Sequence, residues 1–112
     1  MDSSAERRRA TRVTVELEGE LQLAGYRPSQ GLVWDLSEGG SLFIPRTAFR
    51  PTVGTDGILQ ITFPGGKLDV AVRVVRVADV QLSSVPSVRG LGIEFRHLRH
   101  DQQRALADLL AK

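Results

Sequence analysis

The chain has 112 residues, 41% hydrophobic and 25% charged, with a formal net charge of +2 and no cysteine. Such a length supports one domain with a single modest core, the composition is that of a folded globular protein, and the lack of thiols excludes disulfides and a zinc ribbon. The small net charge argues against a general nucleic-acid binder, and no run approaches the roughly 18 apolar residues of a spanning helix, so a cytoplasmic protein without membrane insertion is expected.

Residues 1–12, "MDSSAERRRATR", are polar and without periodicity, and they read as a flexible arginine-rich arm before a domain spanning 13–112. Arg7, Arg8, Arg9 and Arg12 crowd this arm and Arg27 follows, so the basic charge is concentrated rather than spread. "RVTVELEGELQL" then alternates Val13, Val15 and Leu17 against Thr14, Glu16 and Glu18, resuming with Leu21 and Leu23. This is the period-two signature of a half-buried strand, with a break expected near Gly19.

"YRPSQG" reads as a loop, "LVWDL" as a short apolar strand, "DLSEGG" as a turn, and "SLFI" as extended chain up to Pro45. After the irregular "FRPTVGTDG", "ILQITF" sets Leu59, Ile61 and Phe63 opposite Ile58, Gln60 and Thr62. "PGGK" predicts a tight reversal with positive φ at its adjacent glycines. In "LDVAVRVVRVADV" the phase carried by Leu68, Val70, Val72 and Val74 switches at Val75 and Val77, which predicts a bulge or a strand buried on both faces. "QLSSVPSVRG" reads as a loop and "LGIEF" as a strand with Leu91, Ile93 and Phe95 in phase. From about 101 to 112, Ala105, Leu106, Leu109 and Leu110 make an amphipathic helical stripe. About six strands without alternating helices predict an all-β antiparallel barrel or sandwich with one C-terminal helix.

An enzyme is not expected. Ser37 has no histidine near it in sequence, and His97 and His100, spaced so that a helix could present both to a metal, lack a third ligand. "PGGK" has neither the spacing nor the following helix of a phosphate loop.

The arginines immediately precede a strand and are therefore held close to a rigid scaffold. Guanidinium forks match phosphate oxygens and the O6/N7 edge of guanine, and their planes stack on bases. In the turn, the carboxylate of Asp35 can accept the amino and imino donors of guanine, the Ser37 hydroxyl can donate or accept, and glycine lets backbone approach a ligand. The bland alternative is a plain turn in which Asp35 and Ser37 cap local amides and Gly39 and Gly40 supply permissive torsions. Trp34, beside Asp35, is a fluorescent reporter for this turn, and alternation can point its indole into the core.

Arg8 and Arg12 in "RRATR" fit R-x-x-x-R, while Asp35, Ser37 and Gly40 in "DLSEGG" fit [DN]-x-S-x-x-G. In this order they resemble the paired motifs of PilZ domains, and "GSLFI", "LDVAVRVVRV", "GLGIEF" and the closing helix resemble their counterparts there. The resemblance implies a six-stranded antiparallel barrel with a packed helix, a receptor for cyclic di-GMP, and no other cofactor. It places Arg8 and Arg12 on phosphate and guanine, and Asp35, Ser37, Gly39 and Gly40 at a guanine edge. Arg7 would stack on a second ligand molecule; Arg76 on the middle strand is a further candidate contact, with a plain exposed strand arginine the favoured reading. The arm is expected to become ordered on binding and to change the surface shown to an unidentified effector protein. A PilZ-like interaction module for motility or pilus control, without ligand, is the first alternative. A nucleic-acid-binding β-barrel is the second, disfavoured by an aromatic content of 5%.

Overall fold

The computed structural model describes residues 12–47, 49–80 and 88–111. Its elements are β1 (Val13–Leu23), β2 (Ser29–Leu36), β3 (Gly40–Pro45), β4 (Asp56–Phe63), β5 (Gly66–Val80), β6 (Val88–Phe95) and one helix, α1 (His100–Leu110). The strands pair in the order β1-β2-β3-β6-β5-β4, every pairing is antiparallel, and β4 returns to β1, so the sheet closes as a barrel. Closure removes the unpaired edges that an open sheet would expose. The choice left open by composition falls to the barrel, not the sandwich.

The inward phase of each strand fills the interior. Leu21, Val33, Leu36, Phe43, Leu59, Ile61, Val70, Val74 and Leu91 are all completely buried, and each contributes about 1.5–3 kcal/mol relative to exposure. Leu106 and Leu109 bring α1 onto this core. The helix also buries Gln102, whose Nε2 donates to Asp69 O at 2.5 Å, while its Oε1 accepts the Arg99 N–H at 2.9 Å and so closes the helix start.

Three pairings slip by a bulge, between Thr14 and Leu17, between Val33 and Asp35, and between Val74 and Arg76. The last is the phase switch expected in β5. The break expected near Gly19 is not there: β1 runs unbroken, and its irregularity lies around Glu16, at φ 51°. Gly19 serves packing instead, since a Cβ on it would stand 2.7 Å from Val33 Cγ2.

Only Gly65 of the "PGGK" reversal takes positive φ, at 101°; Gly66 already pairs with Phe63 as the first residue of β5. Ser29 to Gly31 and Val88 to Gly90, read as loop from composition, belong to β2 and β6, because neighbouring strands supply ladders that override local turn preference. His97 precedes α1 and sits at φ 49°, so no helical face carries it together with His100. Among the described residues no group of three or more potential metal ligands gathers, and no helix is long and apolar enough to cross a membrane.

Candidate functional site

The site begins with a register problem in β2. Val33 is fully buried, so strict alternation would carry Asp35 inward and Leu36 outward. One extra residue, Trp34, sits between the pairs Val33 to Phe43 and Asp35 to Leu42, and it reverses that outcome. Leu36 is completely buried, while the Asp35 side chain turns outward with 15% exposure. The indole of Trp34 is half-buried and stands outside the core, which corrects the expectation that it points inward.

The bulge leaves ladder groups for side chains to satisfy. The Leu42 N–H donates at 2.9 Å to Asp35 Oδ1, and the Ser41 hydroxyl donates at 2.7 Å to the Asp35 backbone carbonyl. Leu42 and Ser41 escaped the sequence reading because a backbone N–H carries no sequence signature and a serine after two glycines reads only as turn.

The turn itself is tightly held. Ser37 N–H donates to Gly40 O at 2.9 Å, and the buried Ser37 hydroxyl reaches the same carbonyl at 3.3 Å. Gly40 lies against β6, where a Cβ would come within 2.2 Å of Ile93 O, so no other residue fits. Gly39 is its opposite: its carbonyl accepts the Phe95 N–H at 2.9 Å, yet a Cβ there would meet nothing within 4 Å. The backbone at Gly39 is fastened from behind and open in front.

Arg12, immediately before β1, lies on this surface with Nη1 3.0 Å from Asp35 Oδ1. Its side chain is 52% exposed, so the pair contributes at most about 1 kcal/mol. Both bonds to the carboxylate use Oδ1; among the described residues Oδ2 has no donor. Oδ2, the remaining donors of Arg12 and the open backbone at Gly39 thus form one polar surface that can meet a flat group with adjacent donors and an anion beside it. Of the residues singled out from sequence, Arg12, Asp35, Ser37, Gly39 and Gly40 are brought together here, while Arg7 and Arg8 lie outside the described residues.

The barrel, its packed helix and the polar turn between β2 and β3 define a small β-barrel domain. A family model described as PilZ domain matches residues 6–112; the chain belongs to the PilZ domain family. Among solved structures it is similar to the PilZ domain with c-di-GMP of YcgR from Escherichia coli, with TM-score 0.82 and 16% identity over 94% of this chain and 89% of that one. It is also similar to the Bacillus subtilis inhibitor of motility, MotI/DgrA, with TM-score 0.74 and 19% identity over 91% of this chain and 48% of the other. The PilZ domain of CeSA from a cellulose-synthesizing bacterium matches with TM-score 0.66 and 19% identity over 90% and 95% of the two chains. At these identities the likeness speaks for the fold. No curated protein matches the sequence.

Proposed function

We propose that this PilZ domain is a receptor for cyclic di-GMP that passes occupancy of its turn to an effector protein. The observation that carries the reading is the bulge at Trp34, which turns Asp35 outward beside the open backbone of Gly39 and under the guanidinium of Arg12. A carboxylate oxygen with open lone pairs suits the N1–H and N2–H donors of guanine, and the adjacent arginine suits a phosphate.

In this reading Arg12 and Asp35 hold one another in the empty protein, and the ligand inserts between them. Guanine takes Asp35, and Arg12 with Arg8 shifts to phosphate and base. The Ser37 hydroxyl can join the base edge, because its 3.3 Å bond to Gly40 O is long for a hydroxyl donor and exchanges at little cost. Gly40 keeps the turn against β6. Arg7 stacks on a second ligand molecule, which makes the ratio two per chain. The four arginines of the arm repel one another until an anion offsets them, so binding draws the arm across the barrel and alters the surface offered to the effector.

Isothermal titration with cyclic di-GMP at physiological salt, with GTP as control, tests this. Saturable, guanine-dependent heat near two ligands per chain is the expected result. A folded sample that gives no heat moves the assignment to an interaction module without ligand, and strong salt dependence with indifference to guanine would point to nucleic acid.

A further inference from the structure

We infer that the far end of β3 carries the docking groove for the effector, and that the groove takes an extended acidic segment of that protein with one large apolar side chain. The inference rests on the effector half of the proposed reading and not on the ligand. The ladder between β3 and β6 ends where Phe43 faces Leu91. Beyond that pair, among the described residues, Ile44 and Pro45 keep only their partners on β2, and Gly90 and Arg89 only theirs on β5. The two strands therefore part, and each turns an unpaired edge toward the other. A groove of about 330 Å³ lies at this split.

Ile44, Pro45 and the ring of Phe49 line it with apolar surface, and Arg46, Arg50 and Arg89 stand around them. All three arginines are exposed, and among the described residues no carboxylate lines the groove. Arg46 reaches Glu18 at 2.8 Å and Arg89 reaches Asp79 at 3.8 Å, and both acids are open to solvent. Among the described residues Arg50 forms no ion pair. Exposed pairs of this kind are weak, so the guanidiniums can exchange them for a partner's carboxylates.

The groove is held open by its surroundings. Phe49 packs edge-on against Tyr26 with ring centroids 5.7 Å apart, and the Tyr26 hydroxyl accepts the Thr52 N–H at 3.1 Å. The Gly54 N–H donates to Val74 O at 2.7 Å, and the Arg46 N–H donates to Gln30 O at 2.9 Å. Pro51 is buried between these two anchors. A surface ordered in advance loses little conformational entropy when it is occupied.

These features select one kind of occupant. Parted strand edges offer main-chain hydrogen bonds to an extended peptide, apolar lining offers burial to a leucine or phenylalanine side chain, and guanidinium forks match carboxylates to either side of it. A nucleic-acid strand would meet the arginines with phosphate but gain nothing from Ile44 and Pro45, since single strands bind by stacking on rings. The six residues of β3 set the groove roughly 17 Å along the strand from the β2–β3 turn. Effector and cyclic di-GMP can therefore be held at once.

The test is selection of a random peptide library on the immobilised full chain without cyclic di-GMP, followed by fluorescence anisotropy of the enriched peptides. They are expected to carry acidic residues on both sides of one large apolar residue, and to lose affinity when that residue is replaced by glycine. Arg50→Glu is expected to weaken them roughly 10- to 100-fold with an unchanged melting temperature. On peptide addition, backbone amide shifts should gather at Ile44, Phe49 and Arg89. No enrichment, enriched peptides without acidic residues, undiminished binding to Arg50→Glu, or shifts gathered at Asp35 to Gly40 would each overturn the assignment. Titration with cyclic di-GMP keeps the two readings apart: a chain that gives no heat yet binds the peptides through Arg50 fails the ligand reading and upholds the groove.

Discussion

The carboxylate of Asp35 accepts the backbone N–H of Leu42 at 2.9 Å, so the residue proposed to read the ligand also completes the β2–β3 ladder at its bulge. Two substitutions separate these roles. Asp35→Ala leaves the Leu42 N–H without its acceptor and is expected to cost about 1–3 kcal/mol of stability. Asp35→Asn keeps an acceptor oxygen, so denaturant unfolding should stay near that of the unsubstituted chain. Asp35→Ala should lose most cyclic di-GMP binding in titration, and Asp35→Asn should lose less, because its amide oxygen still accepts from guanine, as the [DN] position of the motif allows. Equal stabilities for the two variants would show that the ladder does not depend on this side chain.

Arg12→Ala removes an exposed guanidinium, and its pair with Asp35 is half in solvent. The expected loss of folding stability is below about 1 kcal/mol, while the loss of binding is about 1.5–3 kcal/mol, the range for hydrogen bonds to charged groups. Arg8→Ala should lose binding to a similar degree. Retained affinity in either variant would remove that arginine from the proposed site.

Gly39 and Gly40 are adjacent and should respond oppositely to the same methyl group. Gly40→Ala drives a Cβ to 2.2 Å from Ile93 O, a backbone atom that cannot swing aside. Thermal unfolding should fall by the equivalent of about 1–3 kcal/mol, the range for overpacking. Gly39→Ala meets open space, so the fold should be unaffected while ligand affinity drops because the close backbone approach is obstructed. A stable Gly40→Ala variant would contradict the fit of the turn against β6.

The acid limb of stability should carry a contribution from Asp56. Arg73 donates to its carboxylate at 2.8 Å, and that bond holds the folded Asp56 below its ordinary 3.8. A carboxyl whose folded value is depressed stabilises the protein above its unfolded value, and the contribution disappears as pH falls through the lower folded one. The stability difference between the unsubstituted chain and Asp56→Asn, followed by denaturant unfolding, should be constant near neutrality and shrink below pH 3.8. A difference that is flat through the acid range would show that the pair adds nothing in solution.

Much of the fold is legible in the chain because burial imposes a period of two. The alternation through Leu59 and Ile61, through Val70, Val72 and Val74, and through Leu91, Ile93 and Phe95 names the inward face directly. The switch after Val74 is visible because valines occur in both phases. The bulge at Trp34 is not visible, since "VWDL" reads equally well as a strand and as the start of a turn. The residues Asp35, Ser37, Gly39 and Gly40 stand close together in sequence, so their grouping needs no fold to be noticed.

The sequence by itself determined the strands, their buried faces, the final helix and the chemistry gathered in the arm and the turn, because periodicity, turn residues and charge clustering are local. Tertiary structure decided barrel over sandwich, and turned Asp35 and Arg76 outward at bulges that exist only where a neighbouring strand defines the register. It also brought Arg12 to Asp35 across 23 residues and laid Arg76 over Gly92. A hydrogen-bonded ladder joins residues by register rather than by distance along the chain, so which side chains share a surface is settled when the strands pair.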